Sequence, residues 1–259
     1  MNVQKMSKVI ALFNQSGGVG KSTLTMNLGY HIANAKQKQK VLLVDMDPQG
    51  SLTTFMGLDV MELAQTVYES IVQGEPLPIH SKIHDMDLVP ANINLSAAEM
   101  ELVVAEMREV RLKDALAPVL GNYDFILIDC PPSLGVLSYI SLVAATHVLV
   151  PIECQFKAFC GTELLLSTVS RIRQRVNRRL KLAGFIPTRY DSRISQDTRT
   201  LQAIKDQLSE LGQVYPPVVR STVFADASEK NVPVALYNRK HPALSGIKTI
   251  ARRLVEEIE

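Results

Sequence analysis

The sequence predicts an α/β fold: a doubly wound, mostly parallel sheet flanked by helices. Three observations predict it. Apolar runs rich in β-branched residues recur at 9–13, 41–44, 123–129, 147–152 and 181–187, without the polar alternation of a sheet that faces water on one side. Between them lie stretches whose apolar residues recur at three- and four-residue steps, the period of a helix with one buried face. A glycine-rich turn joins the first strand to the first helix, where open α/β sheets gather their ligands.

That turn is the most informative stretch. Residues 9–13 run into Gly17, Gly18, Gly20, Lys21 and Ser22, and a helical pattern then begins, with Leu24, Leu28 and Ile32 on one face as far as residue 36. Glycines let backbone N–H groups turn inward on a polyanion, and the helix N-terminus adds partial positive charge at the same spot. Lys21 is placed to reach the β- and γ-phosphates of a nucleotide, and the Ser22 hydroxyl to ligate Mg²⁺. The common phosphate-loop pattern has a glycine where this chain has Gln15, so the box is read as the deviant Walker A variant. The second strand, 41–44, ends in Asp45 and Asp47, which puts two carboxylates on the sheet edge that faces the loop. A turn-forming role before Pro48 is the alternative for Asp47.

Further along, 60–85 reads as a short helix and a turn around Pro76 and Pro78, and 86–90 as a short strand. Residues 96–120 read as one helix opened by a Ser96–Glu99 capping box. The run 123–129 ends in Asp129, a Walker B type of carboxylate that holds Mg²⁺ through its water shell. The strand at 147–152 leads into the loop ECQFKAFCG, followed by a helix at 162–177, a strand at 181–187, a helix at 195–211, a strand at 214–219 and a last helix at 243–259.

Length and composition bound these readings. At 259 residues with 46% hydrophobic, the chain can bury a sizeable core and is read as one domain, 1–259. Its 28 Lys and Arg against 26 Asp and Glu leave a net charge of only +2, so nucleic acid would have to be met by a local cluster. Cys130, Cys154 and Cys160 follow no CxxC or zinc spacing, which suggests reduced thiols in a cytoplasmic protein. No apolar run approaches a membrane span, the start lacks an apolar signal segment, and the end, ARRLVEEIE, is mixed in charge; a membrane partner is not expected.

Together NQSGGVGKST, LLVDMDPQGSLT and ILIDCPPSLG, with the YDSR and PVALY segments, resemble the ParA/MinD family of deviant-Walker ATPases over nearly the whole chain. The resemblance implies ATP and Mg²⁺ as cofactors and a homodimer that closes over two nucleotides. It also implies non-specific DNA binding when ATP-loaded, and release after slow hydrolysis stimulated by an adaptor protein linked to a cargo. It further implies that Ser16, Gly17, Gly18, Val19, Gly20, Lys21, Ser22 and Thr23 cradle the nucleotide, that Asp47 positions the attacking water, and that Asp45 and Asp129 support the metal with Ser22. The family's signature lysine falls at Ser16, whose hydroxyl cannot supply the cross-subunit charge. Lys157, just past the strand at 147–152, is the candidate substitute, with a solvated loop lysine as its alternative. The serine resembles the McdA branch, which positions carboxysomes on the nucleoid.

For DNA, the stretch RIRQRVNRRLK at 171–181 carries six cations and no acid. As a helix it would place Arg171, Arg175, Arg178 and Arg179 on one face, anchored by Ile172 and Val176. Such a stripe binds phosphates without regard to sequence and with strong salt dependence. Arg193, in YDSR, matches a position that contacts DNA in relatives, and Arg220 is a further candidate. A plasmid or chromosome partition ATPase is the close alternative to a carboxysome-positioning one. A small-molecule ATP-dependent ligase of the same superfamily is the alternative from another class.

Overall fold

The computed structural model describes residues 7–155 and 161–258. Seven strands form one sheet: β1 (Lys8–Leu12), β2 (Val41–Asp45), β3 (His80–Ile83), β4 (Met86–Val89), β5 (Phe125–Asp129), β6 (His147–Glu153) and β7 (Lys181–Thr188). Their order is β3-β4-β2-β5-β1-β6-β7, and every pair is parallel except β3 with β4. This is the doubly wound, mostly parallel architecture that the apolar runs predict.

The sheet is covered on both faces because its central strands have no polar side to show water. Alternate residues of β1 enter different cores: Val9 and Ala11 one, Ile10 and Leu12 the other. On the second face α1 (Lys21–Ala33) packs beside α10 (Leu244–Glu257), burying Leu28, Ile32, Ile250 and Leu254 completely. Each such aliphatic side chain contributes about 2 kcal/mol on leaving water. On the first face sit α3 (Leu95–Val104), α4 (Arg111–Leu116), α5 (Val136–Ala144), α6 (Thr162–Arg175) and α7 (Ser195–Leu208). The short helices α2 (Ser51–Phe55), α8 (Val223–Glu229) and α9 (Val234–Tyr237) complete the α-helices among the described residues, beside a π-helical turn at Glu69–Gln73 and 3-10 turns at Arg108–Val110 and Ala117–Asn122.

The structure departs from the sequence expectations in several places. Residues 96–120 are not one helix: Ala105 is extended and Met107 is left-handed at φ 54°, so the chain breaks after α3 and resumes at α4. Ser96 lies inside α3 and its expected cap does not form; Asn94 holds that position, with no side-chain capping bond. The segment 214–219 is not a strand: it runs beside β7 through isolated bridges from Val214 to Phe185 and from Val219 to Tyr190, with the Val218 N–H donating to the Pro187 carbonyl at 2.8 Å between them. Pro216 and Pro217 lack the N–H groups a ladder needs. The edge strand β3 escapes the hydrophobic pattern because HSKI is short and polar.

The expected basic helix is also shorter. It ends at Arg175, and the Asn177 amide donates to the carbonyls of Leu142, Val143 and Ala145 at 3.1, 3.1 and 2.7 Å, pulling the chain onto the end of α5. Arg178 and Arg179 therefore sit in the turn that enters β7, not on the helical face with Arg171 and Arg175.

Candidate functional site

The site lies at the carboxyl edge of β1, β2 and β5. Register pairs Leu12 with Asp129 and Asp45 with Asp129, so the loop after β1 and the two strand-end carboxylates share one corner. Asn14 ties that loop to the sheet: its amide donates to the Pro151 carbonyl at 2.6 Å and its side-chain oxygen accepts the Ser16 N–H at 2.9 Å. Gly18 at φ 74° and Gly20 at φ 89° take the left-handed turns that aim the backbone inward, at little cost without a Cβ. Helix α1 then starts at Lys21, with the Gly20 carbonyl accepting the N–H of Leu24 at 2.8 Å.

Lys21 is buried, and its ammonium donates to the carbonyls of Asn14 and Ser16, each at 3.1 Å. The cation is curled back over its own loop, satisfied by two weak acceptors that a phosphate would outcompete. Burial lowers its pKa, and the nearby Asp129, Cys130 and Asp47 work against that shift.

Asp129 is wholly buried, and neither carboxylate oxygen has a hydrogen-bond partner. Burial raises its pKa well above the ordinary range and Asp45 adds to the shift; the Ser22 hydroxyl, near but outside full hydrogen-bond geometry, and Lys21 oppose it. An unpartnered buried carboxylate beside a hydroxyl is a hard-oxygen donor set, and it fits a magnesium ion.

Asp45 is differently placed. Its Oδ2 accepts the Thr53 N–H and hydroxyl at 2.9 and 2.7 Å, and its Oδ1 accepts the Asp47 N–H at 3.1 Å. Burial pushes its pKa up to about 6 despite these bonds. Both oxygens are taken, one by the Asp47 backbone and the other by Thr53 of α2, so Asp45 braces the loop that carries Asp47 against that helix. Asp47 uses Oδ1 to accept the Gln49 N–H at 3.0 Å, which is the turn-forming role, and keeps its second oxygen for other work.

Beside the loop opens a cleft of about 610 Å³, lined by Gly18, Thr23, Arg189, Val218, Arg220 and Phe224 among others. Arg189, left-handed at φ 53°, donates to the Gly18 carbonyl at 3.1 Å and pairs with Glu153 at 3.4 Å, so it links the ends of β6 and β7 to the glycine loop. Sequence reasoning missed Arg189, although its position directly after β7 was a usable signal. Arg220 belongs to the wall of this cleft, where its guanidinium reaches the Arg189 carbonyl at 3.4 Å.

The remaining candidates are scattered. Ser16 is exposed on the loop. Lys157 lies outside the described residues. Arg171 and Arg175 are exposed on α6, and Arg178 and Arg179 follow it; among the described residues none of the four is paired with an acid. Arg193, with its side chain 88% exposed, makes a two-pronged contact to Asp191 at 2.9 and 2.7 Å, which holds that carboxyl down at about 2.

A lysine parked on carbonyls at a glycine loop, one strand from a carboxylate that lacks a partner, makes this α/β sheet a P-loop nucleotide-binding protein. Comparison with known proteins narrows the class. A family model described as an AAA domain, AAA_31, matches residues 7–182. The sporulation initiation inhibitor protein Soj of Bacillus subtilis is 38% identical over 237 residues, covering 90% of this chain and 92% of Soj. A structure from Mycobacterium smegmatis described as cobyrinic acid a,c-diamide synthase with bound ATP analog and magnesium is 36% identical, covers 96% of this chain and 94% of that one, and superposes with a TM-score of 0.86. The ATP complex of a Cyanothece McdA variant is 25% identical, with 97% of both chains covered and a TM-score of 0.87. The chain belongs to the ParA/MinD family of ATPases.

Proposed function

We propose that residues 1–259 act as one ATPase domain that dimerises on ATP, binds DNA without sequence preference, and releases it after a slow hydrolysis stimulated by an adaptor on its cargo. The observation that carries the nucleotide half is the unpartnered Asp129 carboxylate beside Lys21 and Ser22. In this reading Lys21 leaves the Asn14 and Ser16 carbonyls for the phosphates, and the cleft beside Thr23 and Arg189 receives the base. Asp47 orients the attacking water from a loop fixed by Asp45. Ser22 and Asp129 would hold Mg²⁺, which when bound neutralises charge on the β- and γ-phosphates. Positioning and electrostatics supply most of the catalysis in phosphoryl transfer, so these few groups suffice.

The names of the relatives weight the cargo toward a chromosome or plasmid. Soj and the chromosome partitioning protein ParA of Myxococcus xanthus, 34% identical over 255 residues, are nearer in sequence than McdA. Carboxysome positioning remains the second cargo, supported by the similarity to McdA and by Ser16. A cytoplasmic, nucleoid-associated location goes with either. No helix among the described residues is long and apolar enough to cross a membrane.

The DNA half rests on arginines without acidic partners. Titration of a labelled duplex of about 30 base pairs should give tight binding with ATP and weak binding with ADP or no nucleotide. Arg178→Ala with Arg179→Ala should weaken it on every sequence and lower the salt slope by about 2, near one per lost phosphate contact. An unchanged slope removes the turn after α6 from the interface. A small-molecule ligase, the reading suggested by the name of the M. smegmatis structure, predicts instead hydrolysis that responds to a metabolite and ignores DNA.

The cross-subunit cation is proposed to be Lys157. Lys157→Ala should bind ATP normally yet fail to dimerise on it in sedimentation velocity. A wild-type boundary with ATP rejects the assignment.

A further inference from the structure

Arg189 keeps a conformation that strains any residue with a side chain: its φ is 53°. Its neighbours hold it there from both sides. The Thr188 carbonyl accepts the Cys154 N–H at 3.0 Å, the Tyr190 N–H donates to the Val218 carbonyl at 3.1 Å, and the Tyr190 carbonyl accepts the Arg220 N–H at 2.8 Å. Backbone strain fixed this firmly at the mouth of a cleft points to use.

With the backbone so turned, the guanidinium lies over the glycine loop. Its Nη1 donates to the Gly18 carbonyl at 3.1 Å, and its Nε is 3.4 Å from Glu153 Oε1. Register sets Glu153 opposite Thr188, one residue from Arg189. The Glu153 side chain is 15% exposed and that of Arg189 49%, so the carboxylate is the fixed member of the pair. Its Oε1 also accepts the Gln155 amide at 3.0 Å.

The Gly18 carbonyl shares a peptide group with the Val19 N–H. A trans peptide points the two in opposite directions, so a donor on the carbonyl leaves the N–H facing away from Arg189 and polarises it into a stronger donor. Among the described residues that N–H has no backbone acceptor. Inward-turned N–H groups are what a glycine loop offers a polyanion, but glycine is soft, and Gly18 at φ 74° gains from a clamp outside the loop.

We infer that Arg189, anchored by Glu153, is a positioning residue for the nucleotide: it clamps the Gly18–Val19 peptide and presents its N–H to phosphate. The inference rests on the nucleotide reading above and adds a residue to it. An ordinary surface ion pair contributes little and needs no left-handed backbone. A guanidinium stacked on the base is the rival role, and it would act on the base rather than the phosphates.

The test is titration of the full chain with a fluorescent ATP analogue and Mg²⁺, followed by turnover of ATP. Arg189→Ala should raise the dissociation constant and KM together by about 10-fold, with kcat within about 2-fold of wild type, because a clamp on the loop serves ground and transition states alike. Arg189→Gly should lose the same affinity yet melt no lower than Arg189→Ala, since glycine is unstrained at this φ; a merely damaged fold would couple the two losses. Glu153→Gln should cost about 3-fold in the wild-type background and nothing further in Arg189→Ala. Inorganic triphosphate competing for the site should weaken by the same factor as ATP in Arg189→Ala. Wild-type affinity of Arg189→Ala overturns the inference, as does an undiminished effect of Glu153→Gln without the arginine. So does a loss confined to ATP and spared for triphosphate, which would make Arg189 a base contact, or a fall in kcat at constant KM. Wild type that binds no analogue would instead sink the nucleotide reading, and this inference with it.

Discussion

Replacing Lys21 by alanine is expected to abolish nucleotide binding, raising the dissociation constant for magnesium ATP by about 10²- to 10⁴-fold. In the resting loop the ammonium is already desolvated and bonded only to the carbonyls of Asn14 and Ser16. Exchanging those neutral acceptors for phosphate oxygens gains charge-assisted bonds of about 1.5–3 kcal/mol each, and two such bonds give the quoted range. The fold should survive, because the turn is set by Gly18, Gly20 and the Asn14 anchors rather than by the lysine. A fluorescent ATP analogue reads the affinity and a thermal melt the fold. Lys21→Met, which keeps the volume and drops the charge, should behave like alanine. Affinity within a few-fold of wild type in both would show that the loop does not hold phosphates.

The parts of this protein that were legible in the sequence are those fixed by local chemistry. The glycine loop and the strand-end aspartates announce themselves because backbone geometry and charge leave few residues that can stand there. The buried strands do so because a sheet covered on both faces needs unbroken apolar runs. What could not be read depends on contacts far apart in the chain. The end of α6 is set by an Asn177 amide reaching carbonyls 32 to 35 residues away, so the arginine count suggested a longer helix than exists. Asp45 reads as a metal supporter from its strand-end position alone, and the Thr53 and Asp47 groups that bond both its oxygens are not legible there. The wall of the cleft gathers Thr23, Arg189 and Phe224 from three separate segments, and no spacing rule joins them.

Asp129→Asn should move stability and binding in opposite directions, and this is the sharpest difference between a structural and a metal-holding carboxylate. An aspartate whose pKa is raised by burial takes up a proton on folding, so it costs nothing well below its unfolded value and destabilises increasingly as pH rises through the folded one. For Asp45, a folded value of about 6 against an ordinary 3.8 corresponds to about 3 kcal/mol of penalty, accumulated between roughly pH 4 and 6. Asp129 is shifted in the same direction by burial and by Asp45, with only the nearby Ser22 hydroxyl and Lys21 opposing the shift. The neutral amide removes its charge, so the nucleotide-free variant should melt higher than wild type at pH 8, by about 2–4 °C for each kcal/mol relieved. That advantage should vanish as the pH is lowered toward 4, where the wild-type group is already protonated. With magnesium and ATP the order should reverse: wild type gains stability by mass action, and the variant, lacking the charge that holds the ion, gains little. A variant that melts lower at pH 8 without ligand would mean that Asp129 is paired in the native state. One that still responds fully to magnesium would take the metal away from this strand end.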